Sequence, residues 1–407
     1  MVSKQFALIS CVCSFLFFGN GYADASMLVE EGFADDEVVA LGETLSRADA
    51  IPEESIEDAT DHFLEGYIQA LIDMNFYEFC VRVKVDGSTV YLSNLPKNDL
   101  IRNSIIAFVE DLPGVEKVCV VEYFSEDEIQ REEAYMIKPR VGGTWFPQTT
   151  VLFQPLIADP RQPQYYAEYR MGDDIMGDNT IAVALGDEFP IFRWRDVWPA
   201  HGDLQIGILS GIWSVFNMHN PHKDEFAELV NTDYLLGFPL SYAFDAWSMR
   251  LMLYHISSHL GDEFLVNNPD FIPQRVNPSF EAFEWITSYQ LTSGFRFYAG
   301  PGFILHSDAT FPLKTFYLKY GTEMRLLGKK HHYHRLYGTP FLAINVDNWQ
   351  VNHWQFDFTG MLGYEWSKLQ GIGRKLRVYG KYLNGYGEGQ FFKERTSFFA
   401  IGFSWGF

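Results

Sequence analysis

The last twelve residues, Thr396 to Phe407, place the tightest limit on what this chain can fold into. Phe399, Ile401, Phe403, Trp405 and Phe407 fall on one side of a period-two repeat, and Ala400, Gly402, Ser404 and Gly406 on the other. Successive side chains of a β-strand point to opposite faces, so this stretch is a strand with one wide aromatic face and one face of small residues. The same alternation returns repeatedly after Lys138. About twelve strands are expected there, near residues 163–171, 179–194, 203–217, 229–243, 246–260, 280–293, 294–308, 312–328, 334–348, 351–366, 373–387 and 393–407. In one, Phe316, Leu318, Tyr320 and Met324 oppose Tyr317, Lys319, Glu323 and Arg325. A soluble sandwich alternates as well. Strand length, strand number and charges of both signs opposite the aromatic face point instead to an all-β transmembrane antiparallel barrel with a polar interior. Arg250, Glu284, Lys319, Glu323, Arg325, Asp357, Glu365, Arg377 and Lys381 all have inward parity. In a lumen of about twelve strands, paired charges would fill the space rather than conduct.

The start of the chain agrees with export. A short basic start, an apolar run over Phe6 to Phe18 and Ala23-Asp24-Ala25 read as a signal peptide over 1–25. No later stretch reaches the ~18 uninterrupted apolar residues that a spanning helix needs. Two cysteines then remain, Cys80 and Cys119, which either pair in an oxidising compartment or sit as small buried thiols. Charge is unevenly divided: residues 26–136 carry a net −19 and residues 137–407 only −3. So acidic a chain excludes nucleic acid as a partner, and the division marks two units.

Residues 26–60 form an acidic flexible lead with a short helical candidate near Glu37 to Arg47. From Asp61 the spacing of Phe63, Leu64, Tyr67, Ile68, Leu71 and Ile72 gives a helix, and two strands flank the Asp86-Gly87 turn. A second helix carries Ile101, Ile105, Ile106 and Val109 on one face, and a third strand follows Pro113-Gly114. This order, with VRVKVDGSTVYLSNL and LPGVEKVCVVEY, resembles the BON domain of bacterial envelope proteins over 61–124. The resemblance implies a periplasmic accessory domain that meets lipid or periplasmic partners. An acidic linker over 125–140 leads from it to the barrel, 141–407.

One strand has an outward face that changes character. In WSMRLMLYHISSHLGDE, Trp247, Met249, Leu251 and Leu253 share a face with His255 and Ser257. Residues i and i+2 of a strand project the same way, about 6.6 Å apart. An imidazole placed so can take the proton of a hydroxyl, provided a partner on its other nitrogen fixes the tautomer. Extending the parity of Phe283, Trp285 and Tyr289 backwards puts Asn277 of the next strand on that face. A lipid-facing His-x-Ser on the fifth strand and an Asn on the sixth resemble the outer-membrane phospholipase A family, as Leu383-Asn384-Gly385-Tyr386-Gly387-Glu388 resembles its S-G-Y-G-E segment. The resemblance implies an acyl hydrolase of phospholipase A or lipid A deacylase type. In it Ser257 is the nucleophile, His255 the base and Asn277 the orienter, with calcium held by Asp262 or Glu263. The family's serine is followed by Asn-Gly, where this chain has Ser258-His259.

The terminal aromatic strand resembles the assembly signal of bacterial outer-membrane barrels. S-S-H-L-G-D-E at Ser257 to Glu263 and A-D-P-R-Q-P at Ala158 to Pro163 are similar to an uncharacterised outer-membrane family, a domain of unknown function. Two readings stand side by side. One is a calcium-dependent lipid esterase. The other is a non-catalytic, porin-like or structural barrel whose His, Ser and acidic residues are ordinary rim groups. Either implies the bacterial outer membrane with the N-terminal domain in the periplasm, outer-membrane lipids as partners, and room for a homodimer. His331, His332 and His334 read as a basic polar loop.

Overall fold

Twelve antiparallel strands close on themselves into a barrel in the computed structural model of the chain. They are β5 (Tyr165–Asp173), β6 (Gly177–Val197), β7 (Gly202–Asn217), β8 (Glu228–Phe244), β9 (Trp247–Leu260), β10 (Phe280–Thr292), β11 (Phe295–Ser307), β12 (Phe316–Arg325), β14 (Leu336–Trp349), β15 (Phe356–Ser367), β16 (Lys375–Tyr386) and β17 (Arg395–Gly406). Each pairs with its neighbour in sequence; β12 pairs with β14, and β17 returns to β5 to close the ring. A two-residue strand, β13 (Lys330–His331), pairs with β14, and β4 (Gly143–Trp145) adds to β6 beyond the barrel rim. The structure describes residues 53–121, 142–218, 227–273, 275–326, 330–331, 336–369 and 371–407. The expected signal peptide, the helical candidate at 37–47, the linker at 125–140 and the loop histidines His332 and His334 lie outside them. No helix among the described residues is long and apolar enough to cross a membrane.

The period-two alternation sorts the barrel as the sequence implies. On β17, Phe399, Ile401, Phe403 and Trp405 are exposed on the outer wall, while Phe398, Ala400 and Ser404 are buried. Full closure pairs the backbone groups that an open edge would leave without partners, which is what makes such a wall tolerable in hydrocarbon.

Residues 59–407 form one compact unit, and within it a small α+β domain precedes the barrel. Helix α1 (Glu53–Phe76) leads into the hairpin of β1 (Arg82–Asp86) and β2 (Thr89–Ser93), followed by α2 (Asp99–Glu110) and β3 (Lys117–Val120). β1 and β2 are antiparallel, and β3 joins β2 in parallel. Asn98 caps α2, its side chain accepting from the Ile101 amide. Ile68, Ile72, Phe76, Val83, Val90, Leu92, Ile101 and Ile105 make the core, and Leu152, Ala243, Leu369 and Ile372 of the barrel part join the same cluster. Cys80 and Cys119 are free thiols.

The domain is fixed to the short-turn end of the barrel by buried polar contacts. Glu78 and Arg193 of β6 are both fully buried and pair at 2.7 Å. Gln205 of β7 accepts from Arg193 Nε at 3.0 Å, and Glu78 Oε1 accepts from the Thr149 amide at 2.6 Å. Arg195 donates to the carbonyl of Phe79, and the Asp99 amide donates to Asp245 in the β8–β9 turn at 2.8 Å.

Between β4 and β5 the chain enters the barrel itself. Val151, Phe153, Leu156, Ile157, Ala158, Asp159 and Gln162 are all buried there. Leu156 packs with Ile286 and Tyr298, and Ile157 and Ala158 pack with Phe341, Met361 and Tyr379 of the inner wall. The Phe153 ring lies under two guanidinium groups, Arg250 at 4.8 Å and Arg296 at 4.9 Å. Asp159 pairs with Lys319 at 2.6 Å, Arg161 with Asp233, and the Ile157 amide donates to Glu323 at 3.0 Å. Arg296 donates to the carbonyls of Gln154 and Pro155. The A-D-P-R-Q-P phrase therefore belongs to a segment that fills the lumen.

Replacing Arg193 by Met leaves Glu78 buried without its counter-ion, a change that costs about 3–5 kcal/mol. The expected result is a domain that protease removes from a barrel still resistant to cold detergent. Equal protease resistance in the variant and the natural protein would show that the pair does not hold the two parts together.

Candidate functional site

His255 and Ser257 face outward on β9, as the alternation requires, while Tyr254, Ile256 and Ser258 face in and are buried. The two adjacent serines thus part company. Ser258 Oγ donates to Asn231 Oδ1 inside the barrel at 3.1 Å, and Ser257 stays on the outer wall with His255.

The neighbouring strand brings a carboxylate to the imidazole. In the β9–β10 register Glu281 stands directly opposite His255, and His255 Nδ1 lies 2.8 Å from Glu281 Oε1. The second oxygen of the same carboxylate, Oε2, lies 2.7 Å from His306 Nδ1 on β11. One carboxylate is thereby divided between two imidazoles from the strands on either side of it. The exposures of the His255, Glu281 and His306 side chains, 46%, 41% and 76%, place all three on the outer surface.

His306 gets there by an irregularity. Glu281 pairs with His306, but Ala282 pairs with Ile304, so Leu305 is an extra residue on β11. A bulge of this kind re-aims the side chains beside it. With unbroken pairing Leu305 would oppose Glu281 and His306 would turn inward; the bulge turns His306 out onto the carboxylate.

Asn277 lies in the coil leading into β10 and is half-buried. Its side chain hydrogen-bonds Asp308, in the loop after β11. The hydroxyl and amide of Thr310, together with Asn277, hold the Asp308 carboxyl below its usual range. Next to this coil Ser279 Oγ donates to the Ile256 carbonyl at 3.3 Å. The structure thus pairs His255 with Glu281, puts Ser257 on the same outward face, and gives Asn277 to a neighbouring loop. Glu281 is the residue the sequence reading passed over. Its signal was present, since it is the one charged residue among the outward positions Glu281, Phe283, Trp285, Thr287, Tyr289 and Leu291.

Asp262 and Glu263 form the first turn of α3 (Asp262–Asn267), both exposed. Among the described residues no three His, Cys, Asp or Glu side chains converge on a metal-sized space. The donor set at these two positions does not make a calcium centre by itself.

A family model described as a protein of unknown function, DUF1207, matches residues 75–407. The chain belongs to that family. The DUF1207 match takes in the whole barrel, the lumen segment and most of the small domain. No curated protein matches the chain. Among solved structures, the chain is similar to the outer membrane phospholipase A from Escherichia coli, with 14% identity, 60% of this chain and 89% of that chain covered, and a TM-score of 0.40. It is similar to the Salmonella typhi outer membrane phospholipase dimer with bound calcium, at 13% identity, 62% and 98% coverage and a TM-score of 0.41. For the KdgM porin the figures are 10%, 60%, 99% and 0.31. Likenesses this distant transfer no residue role.

The Asp308 contacts give a pH dependence. A carboxyl held below its unfolded value stabilises its surroundings above that value, near ~3.9 for Asp, and loses the effect as pH falls through the folded value. Protection of the Thr310 amide from hydrogen exchange is expected to persist down to about pH 4 and to be lost below it. Thr310→Val should bring the Asp308 titration, followed by carboxyl carbon shifts, back towards the ordinary value. An unchanged titration would contradict the assignment.

Proposed function

We propose that this DUF1207 chain is an outer-membrane acyl hydrolase, with Ser257 as nucleophile, His255 as general base and Glu281 as the group that orients the imidazole. The observation that carries the reading is the 2.8 Å contact between His255 Nδ1 and Glu281, on the same exposed wall as Ser257. A carboxylate on Nδ1 fixes the tautomer in which Nε2 is the free acceptor, and it stabilises the imidazolium that forms during the reaction. Neighbouring outward residues, among them Leu253, Trp285 and Leu305, are apolar and exposed, which suits a substrate drawn sideways from a bilayer.

In the reaction, Ser257 Oγ attacks the ester carbonyl while its proton passes to His255 Nε2. The tetrahedral intermediate collapses, the C–O bond to the alcohol breaks, and the imidazolium returns the proton to that alcohol. Water, deprotonated by the same imidazole, then releases the fatty acid and restores Ser257. All three groups come from one chain, so the reaction needs no second copy. The outer membrane as location is supported by the closed barrel and its apolar outer wall. Short turns of such barrels face the periplasm, and the α+β domain is fixed to the short-turn end, which supports a periplasmic position for it. The filled lumen weighs against the porin-like alternative.

Purified protein given detergent-dispersed phospholipid is expected to release fatty acid, with Ser257→Ala and His255→Ala inactive. Glu281→Gln should lower kcat by roughly 10²-fold or more, as loss of an orienting carboxylate does in a triad, whereas Asn277→Ala should act only through the Asp308 loop. Running the series with and without calcium tests Asp262 and Glu263 separately. Activity that survives Ser257→Ala would sink the reading; loss confined to Asn277→Ala would move the orienting role to that residue.

A further inference from the structure

Attack by Ser257 on an ester leaves a negative charge on the former carbonyl oxygen. Stabilising that charge is usually the largest single contribution to acyl transfer, and it takes a hydrogen-bond donor already in place when the charge appears. The His255 and Glu281 pair handles the proton, and the Ser257 hydroxyl becomes part of the new bond. The donor has to come from elsewhere on the wall.

β9 lies between β10 and β8. From β10, Glu281 reaches His255. From β8, Tyr234 stands directly opposite Ser257, and residues that face each other in this way have Cβ atoms about 4.5–5.5 Å apart. Tyr234 is 43% exposed and shares the outer face of β8 with Leu236, Phe238 and Leu240, of which none has a polar side chain. Its ring leans across onto β9 and meets the His259 imidazole in a T-shaped contact at 5.7 Å. His255 lies two residues before Ser257 on the outward face and His259 two residues after it, so the serine has its base on one side and the tilted phenol on the other. Among the described residues no hydrogen bond occupies the Tyr234 hydroxyl. A phenol is longer than a serine side chain, and it carries its hydroxyl out from the sheet to the level of a carbonyl bonded to Ser257 Oγ. On the far side of His255, Phe238, Leu253, Phe283 and Phe303 form one outward row across four strands, an apolar bed for the acyl chain of the same ester.

We propose that Tyr234 is the oxyanion donor of this site, an inference that rests on the acyl hydrolase reading and adds to it the group that takes the developing charge. As the bond from Ser257 Oγ to carbon forms, the C=O electron pair moves onto oxygen, and the Tyr234 hydroxyl donates a hydrogen bond to it while keeping its proton. When the pair returns and the bond to the alcohol breaks, that hydrogen bond weakens to one with a neutral carbonyl. The contact with His259 sets the tilt of the ring.

The test measures fatty acid release from detergent-dispersed phospholipid by the full-length protein, Tyr234→Phe, His259→Phe and Ser257→Ala. Beside it runs the binding of hexadecyl trifluoromethyl ketone, whose carbonyl accepts a serine oxygen to form a hemiketal with the charge on oxygen. Tyr234→Phe keeps the ring, its packing on the wall and its contact with His259, and removes only the hydroxyl. Its kcat should fall about 10²-fold or more with KM little changed, and its affinity for the ketone should fall by a similar factor. A tyrosine that served only as an interfacial ring would lose nothing on becoming Phe. Natural kcat and ketone affinity in Tyr234→Phe would therefore overturn the proposal while leaving Ser257 as the nucleophile. A loss that follows His259→Phe and spares Tyr234→Phe would assign the charge to the imidazole and overturn it equally. Release that survives Ser257→Ala, or no release by the natural protein, would overturn the hydrolase reading and this inference with it.

Discussion

The pairing of charges inside the barrel is the constraint on which the remaining structure depends. Lys319 joins Asp159 to Glu284, and Glu284 reaches Arg250. Arg296, Glu323, Arg325, Glu365 and Arg377 form a second chain, and Lys381, Glu168, Arg170 and Glu388 a third. A buried ion that loses its counter-ion costs several kcal/mol, so these groups are tolerable only as a connected whole. The wall alone does not complete the set. Lys319 needs Asp159, Asp233 needs Arg161, and Arg296 needs the carbonyls of Gln154 and Pro155, all supplied by the segment that runs up the lumen.

That dependence ties the small domain to the barrel. The chain leaves the rim at β4, passes the buried Glu78 and Arg193 pair, and enters the lumen at Leu152, which is part of the domain's own apolar cluster. Domain, lumen segment and barrel are therefore parts of one packed body, and a change at Arg193 bears on both. With the interior occupied, the chemistry proposed for the chain lies on the outer wall, around His255 and Glu281.

The twelve strands were legible because a barrel wall repeats one rule, apolar outward and polar or small inward, over enough residues that turns cannot blur it. The outward placement of His255 and Ser257 followed from the same rule, as did the inward parity of Glu284 and Lys319. What broke the rule could not be read. The extra residue Leu305 shifts β11 by one and carries His306 to the outer face. The coil before β10 takes Asn277 to Asp308. Residues 151–164 have neither a period of two nor of 3.6, and their partners lie from about 70 to 170 residues further along the chain, as with Arg161 to Asp233 and Ile157 to Glu323. Long-range ion pairs leave no local pattern, so the filling of the lumen was legible only as a surplus of inward charges.

The chain's own residues close the lumen. Single-channel recording of the full-length protein in planar bilayers tests it most directly. The filled lumen predicts no steady conductance in the natural protein and ion-conducting steps once Asp159→Ala and Arg161→Ala together release the segment from Lys319 and Asp233. A stable open conductance in the natural protein would contradict it.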